Sequence, residues 1–101
     1  MTATIGDHVT LNDPAFIHDP AIIHGKVRLE EGSSVWPYVV FRAEMFEVVI
    51  GARTNIQDHV MVHVGSRTGT YVGEDCSITH KVCLHGCTIG DGALIGIQAV
   101  V

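Results

Sequence analysis

Basic residues are scarce in this chain: six lysines and arginines stand against eleven acidic residues, for a formal net charge of −5. The six are scattered singly, which excludes a nucleic-acid or anionic-membrane surface. No apolar run approaches the roughly 20 residues that cross a bilayer as a helix. The opening MTATIGDHV lacks the charged-then-apolar layout of a secretory leader. Cysteine is sparse too, and Cys76, Cys83 and Cys87 leave at least one thiol unpaired, which points to a reducing, cytoplasmic setting. Cys83 and Cys87 sit among Val82, Leu84 and Ile89, a setting that suits small core residues better than metal ligands. With 101 residues, 47% of them hydrophobic, the chain is expected to form one domain over residues 1–101.

What is abundant is repetition. Large apolar residues recur at every sixth position: Ile17, Ile23, Leu29, Val35 and Phe41. The phase shifts by three residues and resumes at Ile50, Ile56 and Val62; it returns at Val72, Ile78 and Leu84, slips by one, and continues at Ile89, Ile95 and Val101. Four places after most of these anchors stands a small or β-branched residue, among them Ala21, Ser33, Thr54, Cys76, Val82, Thr88 and Ala93. Such a period fits neither an amphipathic helix nor long alternating strands. A helix is further disfavoured by the dominance of Ile, Val and Thr and by eleven glycines. The pattern is that of an all-β, parallel β-helix of hexapeptide repeats, three hexads closing one triangular rung of about 18 residues. A β-sandwich with accidental spacing is the remaining alternative.

Two stretches interrupt the period. Met45 to Val49 reads as a short bulge, and residues 64–71, VGSRTGTY, as a loop leaving the coil. The series stops on a fresh anchor at Val101, and an uncapped coil end leaves apolar surface and strand edges open. The expectation is therefore a piece of a longer β-helix, its C-terminal part missing, or an end that something else covers.

The stretch ITHKVCLHGC holds His80 and His85 at a spacing that no single helix or strand brings together. The hexad count resolves this. His63 and His85 each follow an anchor, so both point outward on one face, here face A, on neighbouring rungs about 4.8 Å apart. Arg42 takes the same outward place one rung along. His80 lies two places after its anchor on another face, face C, where Asp58 holds the equivalent place beside the outward Gln57. Face C of one molecule can thus meet face A of a neighbour, and a closed ring of such contacts is a C3 trimer. Three histidines with a fourth position open is the pattern of a catalytic zinc site, where bound water has a pKa near 7. His8, His18, His24 and His59 read as ordinary surface residues.

The run RTNIQDHVMVH (53–63) followed by ITHKVCLHGCTIGDGALIG (78–96) resembles the γ-class carbonic anhydrases and their hexapeptide-repeat relatives. The resemblance extends over most of the chain from Phe16 and implies a left-handed β-helix. It also implies a homotrimer with Zn2+, or Fe2+ in some cases, at each subunit interface. His63 and His85 would be ligands from one chain and His80 from the next. Gln57 would hydrogen-bond the metal-bound hydroxide, and Arg42, Glu44 and Asp58 would form the charged network holding the interface. Two departures stand out. The family's R-G-D is here Arg42-Ala43-Glu44, and the loop after His63 carries no glutamate to move protons, a task left to His59 or Glu44.

The resemblance implies reversible hydration of CO2 to bicarbonate by metal-bound hydroxide. Two alternatives come from other classes. A hexapeptide acyltransferase would use an interface histidine as general base, with coenzyme A as donor, and a trimeric scaffold would keep the metal for structure alone.

Overall fold

The computed structural model describes residues 2–101. Its first rung carries β1 (Thr4–Ile5), β2 (Thr10–Leu11) and β3 (Phe16–Ile17). In the second, β4 (Ile22–Leu29) runs through a corner to serve two faces and β5 (Ser34–Val35) serves the third. β6 (Val40–Ile50) and β7 (Asn55–Ile56) repeat that arrangement, and β8 (Met61–His63), β9 (Thr70–Val72) and β10 (Ser77–Ile78) follow. β11 (Cys83–His85), β12 (Thr88–Ile89) and β13 (Leu94–Ile95) form the next rung.

Every pairing is parallel and joins like to like. Face A stacks β1, the start of β4, the start of β6, β8 and β11. Face B stacks β2, the end of β4, the end of β6, β9 and β12, and face C stacks β3, β5, β7, β10 and β13. The result is a left-handed β-helix of hexapeptide repeats, as expected.

The period follows from this geometry. On each face the anchor and the residue two before it point inward, and the residues between and after point out. Ile23, Phe41, Val62 and Leu84 are buried on face A; Leu29, Ile50 and Val72 on face B; Val35, Ile56 and Ile78 on face C. Ile17 and Ile95 are half-buried and Val101 is exposed, because each has a rung on one side only. The small residues pack under the corners in their own rows, such as Ala21, Val39, Val60 and Val82. Thr88 departs from the expectation: it is exposed and pairs with outward Tyr71, so the inward corner place falls to Cys87. The one-residue slip before Ile89 moved that position.

The turns also have a fixed place. Tyr38, His59, Lys81 and Gln98 at one corner, and Gly32, Arg53, Asp75 and Gly92 at another, all have φ between 56° and 71° and stand three residues before an anchor. At the third corner, between faces A and B, the rungs differ in length. Lys26 alone bridges Gly25 and Val27, whereas residues 44–47 bulge between Ala43 and Val48. The excursion is thus shifted from the expected Met45–Val49: Val48 and Val49 are already back in the ladder. The loop is likewise narrower than 64–71, since Val64 is buried and Thr70 and Tyr71 belong to β9. It closes on a Gly65 N–H bond to the Thr68 carbonyl, 2.8 Å.

No helix among the described residues is long and apolar enough to cross a membrane.

Candidate metal site on two faces of the coil

Face A presents one outward row, each residue following its anchor: His24, Arg42, His63 and His85, in register. The imidazoles of His63 and His85 stack with centroids 5.2 Å apart and planes inclined by 22°. His24 belongs to the same row, a membership the sequence reading missed.

The excursion at residues 44–47 turns Glu44 back over this row. Its Oε1 lies 2.9 Å from His63 Nε2, while Arg42 Nε donates to its Oε2 at 2.7 Å. Arg42 also lies close to the same imidazole nitrogen, 3.4 Å through Nε and 3.2 Å through Nη2. Nε2 cannot donate to a carboxylate and accept from a guanidinium at once, and the shorter contact is the carboxylate's. Partial desolvation pushes the Glu44 pKa up, but its own backbone N–H, the His63 bond and the charges of Arg42 and His63 outweigh that, holding it below the usual range. Arg42, Glu44, Met45, His63, Val64, Gly65, Ser66 and His85 line one depression of about 390 Å³.

Face C carries the other group. His80 Nδ1 faces Asp58 Oδ1 at 3.4 Å, each two places past its anchor. Gln57 Nε2 donates to Asn55 Oδ1 at 2.8 Å, and Asn55 Nδ2 donates in turn to Ser77 Oγ at 3.0 Å. This chain fixes the orientation of the Gln57 amide and leaves its oxygen uncommitted. Ser34 and Trp36 join Asn55, Gln57, Asp58 and His80 around a second depression of about 430 Å³. Ser34, Asn55 and Trp36 were not singled out from the sequence, although all three occupy outward places beside face C anchors.

His59, considered for proton transfer, stacks on Tyr38 at the corner between faces C and A, 5.0 Å between centroids and 3° between planes. Glu44 is the candidate that meets His63. Within one chain, His63 and His85 share face A and His80 lies on face C. Among the described residues no three His, Cys, Asp or Glu side chains form a group able to hold a metal ion.

No family model matches the chain. Protein YrdA of Escherichia coli (strain K12) is 45% identical over 83 residues, covering 75% of this chain and 45% of that protein. The mitochondrial "Gamma carbonic anhydrase 3" of Arabidopsis thaliana is 41% identical over 81 residues, covering 74% of this chain and 31% of that protein. The chain therefore spans less than half the length of these curated relatives. Among solved structures, a hexapeptide transferase family protein from Anaplasma phagocytophilum superposes with a TM-score of 0.61 at 22% identity, over 97% of this chain and 68% of that one. That likeness shows the fold.

Proposed function

Given a chain that belongs to the hexapeptide-repeat β-helix family, with relatives named gamma carbonic anhydrase, we propose that it hydrates CO2 reversibly at a cation held between copies in a homotrimer. His63 and His85 of one protomer supply two imidazoles, and the partner subunit's His80 supplies the third. The observation that carries this reading is the stacked, outward pair His63 and His85 on adjacent rungs. Their chemistry fits a borderline cation such as Zn2+, with Fe2+ the second choice. Such a cation, when bound, supplies Lewis acidity and lowers the pKa of a water at its open position to near 7.

The chain's own residues do the rest. Gln57, oriented by Asn55, offers its amide oxygen as an acceptor beside that water. Asp58 on face C and Arg42 on face A carry opposite charges, so apposition of the two faces pairs them and sets the register between copies. Glu44 holds Arg42 in place through their 2.7 Å contact. Three unpaired cysteines suit the cytoplasm, where we place the protein.

A second reading, a trimer that keeps the cation without turnover, draws on the loop after His63. Its residues 65–69 include Arg67 but no carboxylate to carry protons away. One experiment separates the two: metal content, oligomeric mass and CO2 hydration measured on the same preparation, for wild type and His85→Ala. Hydration that disappears with the metal in His85→Ala supports the enzyme. A metal-loaded wild-type trimer without hydration supports the scaffold, and a metal-free monomer removes both.

A further inference from the structure

We infer that Trp36 anchors a second contact between copies, away from the cation, in which the partner subunit's Trp36 lies over His24 and Arg42; this rests on the homotrimer reading above. The first support is height along the coil. The chain climbs steadily, so a face C residue stands above the face A residue before it and below the face A residue after it. His80 thus stands between His63 and His85. In a closed ring whose coils run along the ring axis, all copies stand at one height. The partner subunit's His80 then meets the gap between the stacked imidazoles, as the metal reading requires. The same rule brings the partner subunit's Asp58 between Arg42 and His63, opposite charges meeting. Trp36 stands in the outward column of Gln57, one rung lower, and the rule brings it between His24 and Arg42.

The second support is the indole itself. Phe16 meets it edge-on, 5.1 Å between centroids, and His18 stacks on it with planes 11° apart and centroids 6.4 Å apart. Trp36 is nevertheless 39% exposed, on the rim of the depression that holds Gln57, Asp58 and His80. A large ring already held by its neighbours loses little freedom on contact, and buried tryptophans are the commonest anchors of interfaces.

The third is the surface it would meet. The two strands that carry His24 and Arg42 also carry outward Ile22, 48% exposed, and half-buried Val40. Those two line, with Pro20 and Tyr38, a largely apolar depression of about 260 Å³. Arg42 donates from Nε to Glu44 in the plane of its guanidinium, which leaves the flat face of that group for an aromatic ring. His24, the histidine of the face A row that the cation does not use, gains a role in this contact.

Trp36 is the sole tryptophan of the chain, so its fluorescence reports on this place alone. The full chain with Zn2+ is followed by sedimentation velocity and iodide quenching over a dilution series, as wild type, Trp36→Ala, Trp36→Phe and His24→Ala. Circular dichroism verifies folding. The trimer should emit to the blue of the monomer and resist iodide, and dilution to monomer should open the indole to quenching. His24→Ala, a change on another face of the same chain, should shift Trp36 emission in the trimer. Trp36→Ala should raise the midpoint concentration of assembly roughly 30-fold or more, and Trp36→Phe less. A trimer whose Trp36 stays open to iodide, or whose assembly ignores Trp36→Ala, overturns the inference. It leaves the cation site standing and this end of face C free for another occupant. A wild type that sediments as a monomer with Zn2+ overturns both.

Discussion

The buried hydroxyl of Thr70 donates to the carbonyl oxygen of His63 at 2.6 Å and accepts the amide of Gly86, the residue after His85, at 2.9 Å. One side chain on face B thus ties together the ends of β8 and β11, the two strands that present the stacked imidazoles. The hydroxyl thus acts as donor and acceptor at once, and no buried side-chain polar atom among the described residues lacks a partner.

Thr70→Val keeps the shape and removes the hydroxyl. It removes that partner from the His63 carbonyl and the Gly86 amide, which keep only their direct bond to each other at 3.2 Å, at a cost of about 0.5–1.5 kcal/mol. Denaturant unfolding should show a lower midpoint with an unchanged slope. Co2+ affinity should fall as well, because both histidine strands lose a common anchor. An unchanged midpoint would mean that water or the neighbouring backbone takes over both bonds.

Close approach of successive rungs makes a second expectation. A Cβ on Gly51 would lie 2.5 Å from the Gly73 carbonyl carbon and oxygen, whereas one on Gly90 would meet nothing within 4 Å. Both glycines follow a face B anchor, so sequence position alone treats them alike. Gly51→Ala should destabilise by about 1–3 kcal/mol or more, since the clash is with backbone that cannot rotate away. Gly90→Ala should be close to neutral in the same thermal unfolding series.

The contrast between those glycines marks what a hexad pattern conveys. Anchors repeat because each must fill the same inward place, so Phe41, Val62 and Leu84 could be aligned across two interruptions, and His63 and His85 followed with them. A residue outside the ladder has no such register. Where Glu44 points depends on the path of residues 44–47, and nothing in the period encodes that path. The one-residue slip before Ile89 likewise exchanged the places of Cys87 and Thr88, because a residue lost at a corner does not reveal on which side of it the loss falls. Trp36 and Asn55 were within reach of the same count, being outward neighbours of Val35 and Ile56, but their types carry no signal as sharp as a histidine.

Acid stability should depend in part on Asp75. Its carboxylate accepts Arg53 Nε at 2.8 Å and Nη2 at 3.2 Å, and this hydrogen bonding outweighs desolvation to hold its pKa below the usual carboxylate range. A depressed native pKa contributes stability above the unfolded value of about 3.9, and that contribution disappears as pH falls through the native value. Asp75→Asn should therefore be less stable than wild type near neutrality, and the difference should vanish at the acid end. Asparagine tolerates the positive φ of this corner, so the comparison isolates the charge. Parallel stability curves down to low pH would refute the assignment.

The proposed cation site carries the last expectation. Anything bound to the folded protein and not to the unfolded chain stabilises it by mass action, about 2.7 kcal/mol at 100 times the dissociation constant. A chelator should therefore lower the thermal midpoint of the wild type, and Zn2+ in excess should restore it. His85→Ala lacks one imidazole of the stacked pair and should unfold at the same temperature with or without chelator. His80→Ala should behave likewise, although His80 lies on a different face from His63 and His85. That equivalence is the sharp part of the expectation. Within one chain face C has no share in a site on face A, so a chelator response abolished by His80→Ala requires a second copy to close the site. A response that survives His80→Ala and vanishes in His85→Ala would mean that face A holds the cation without help from a partner.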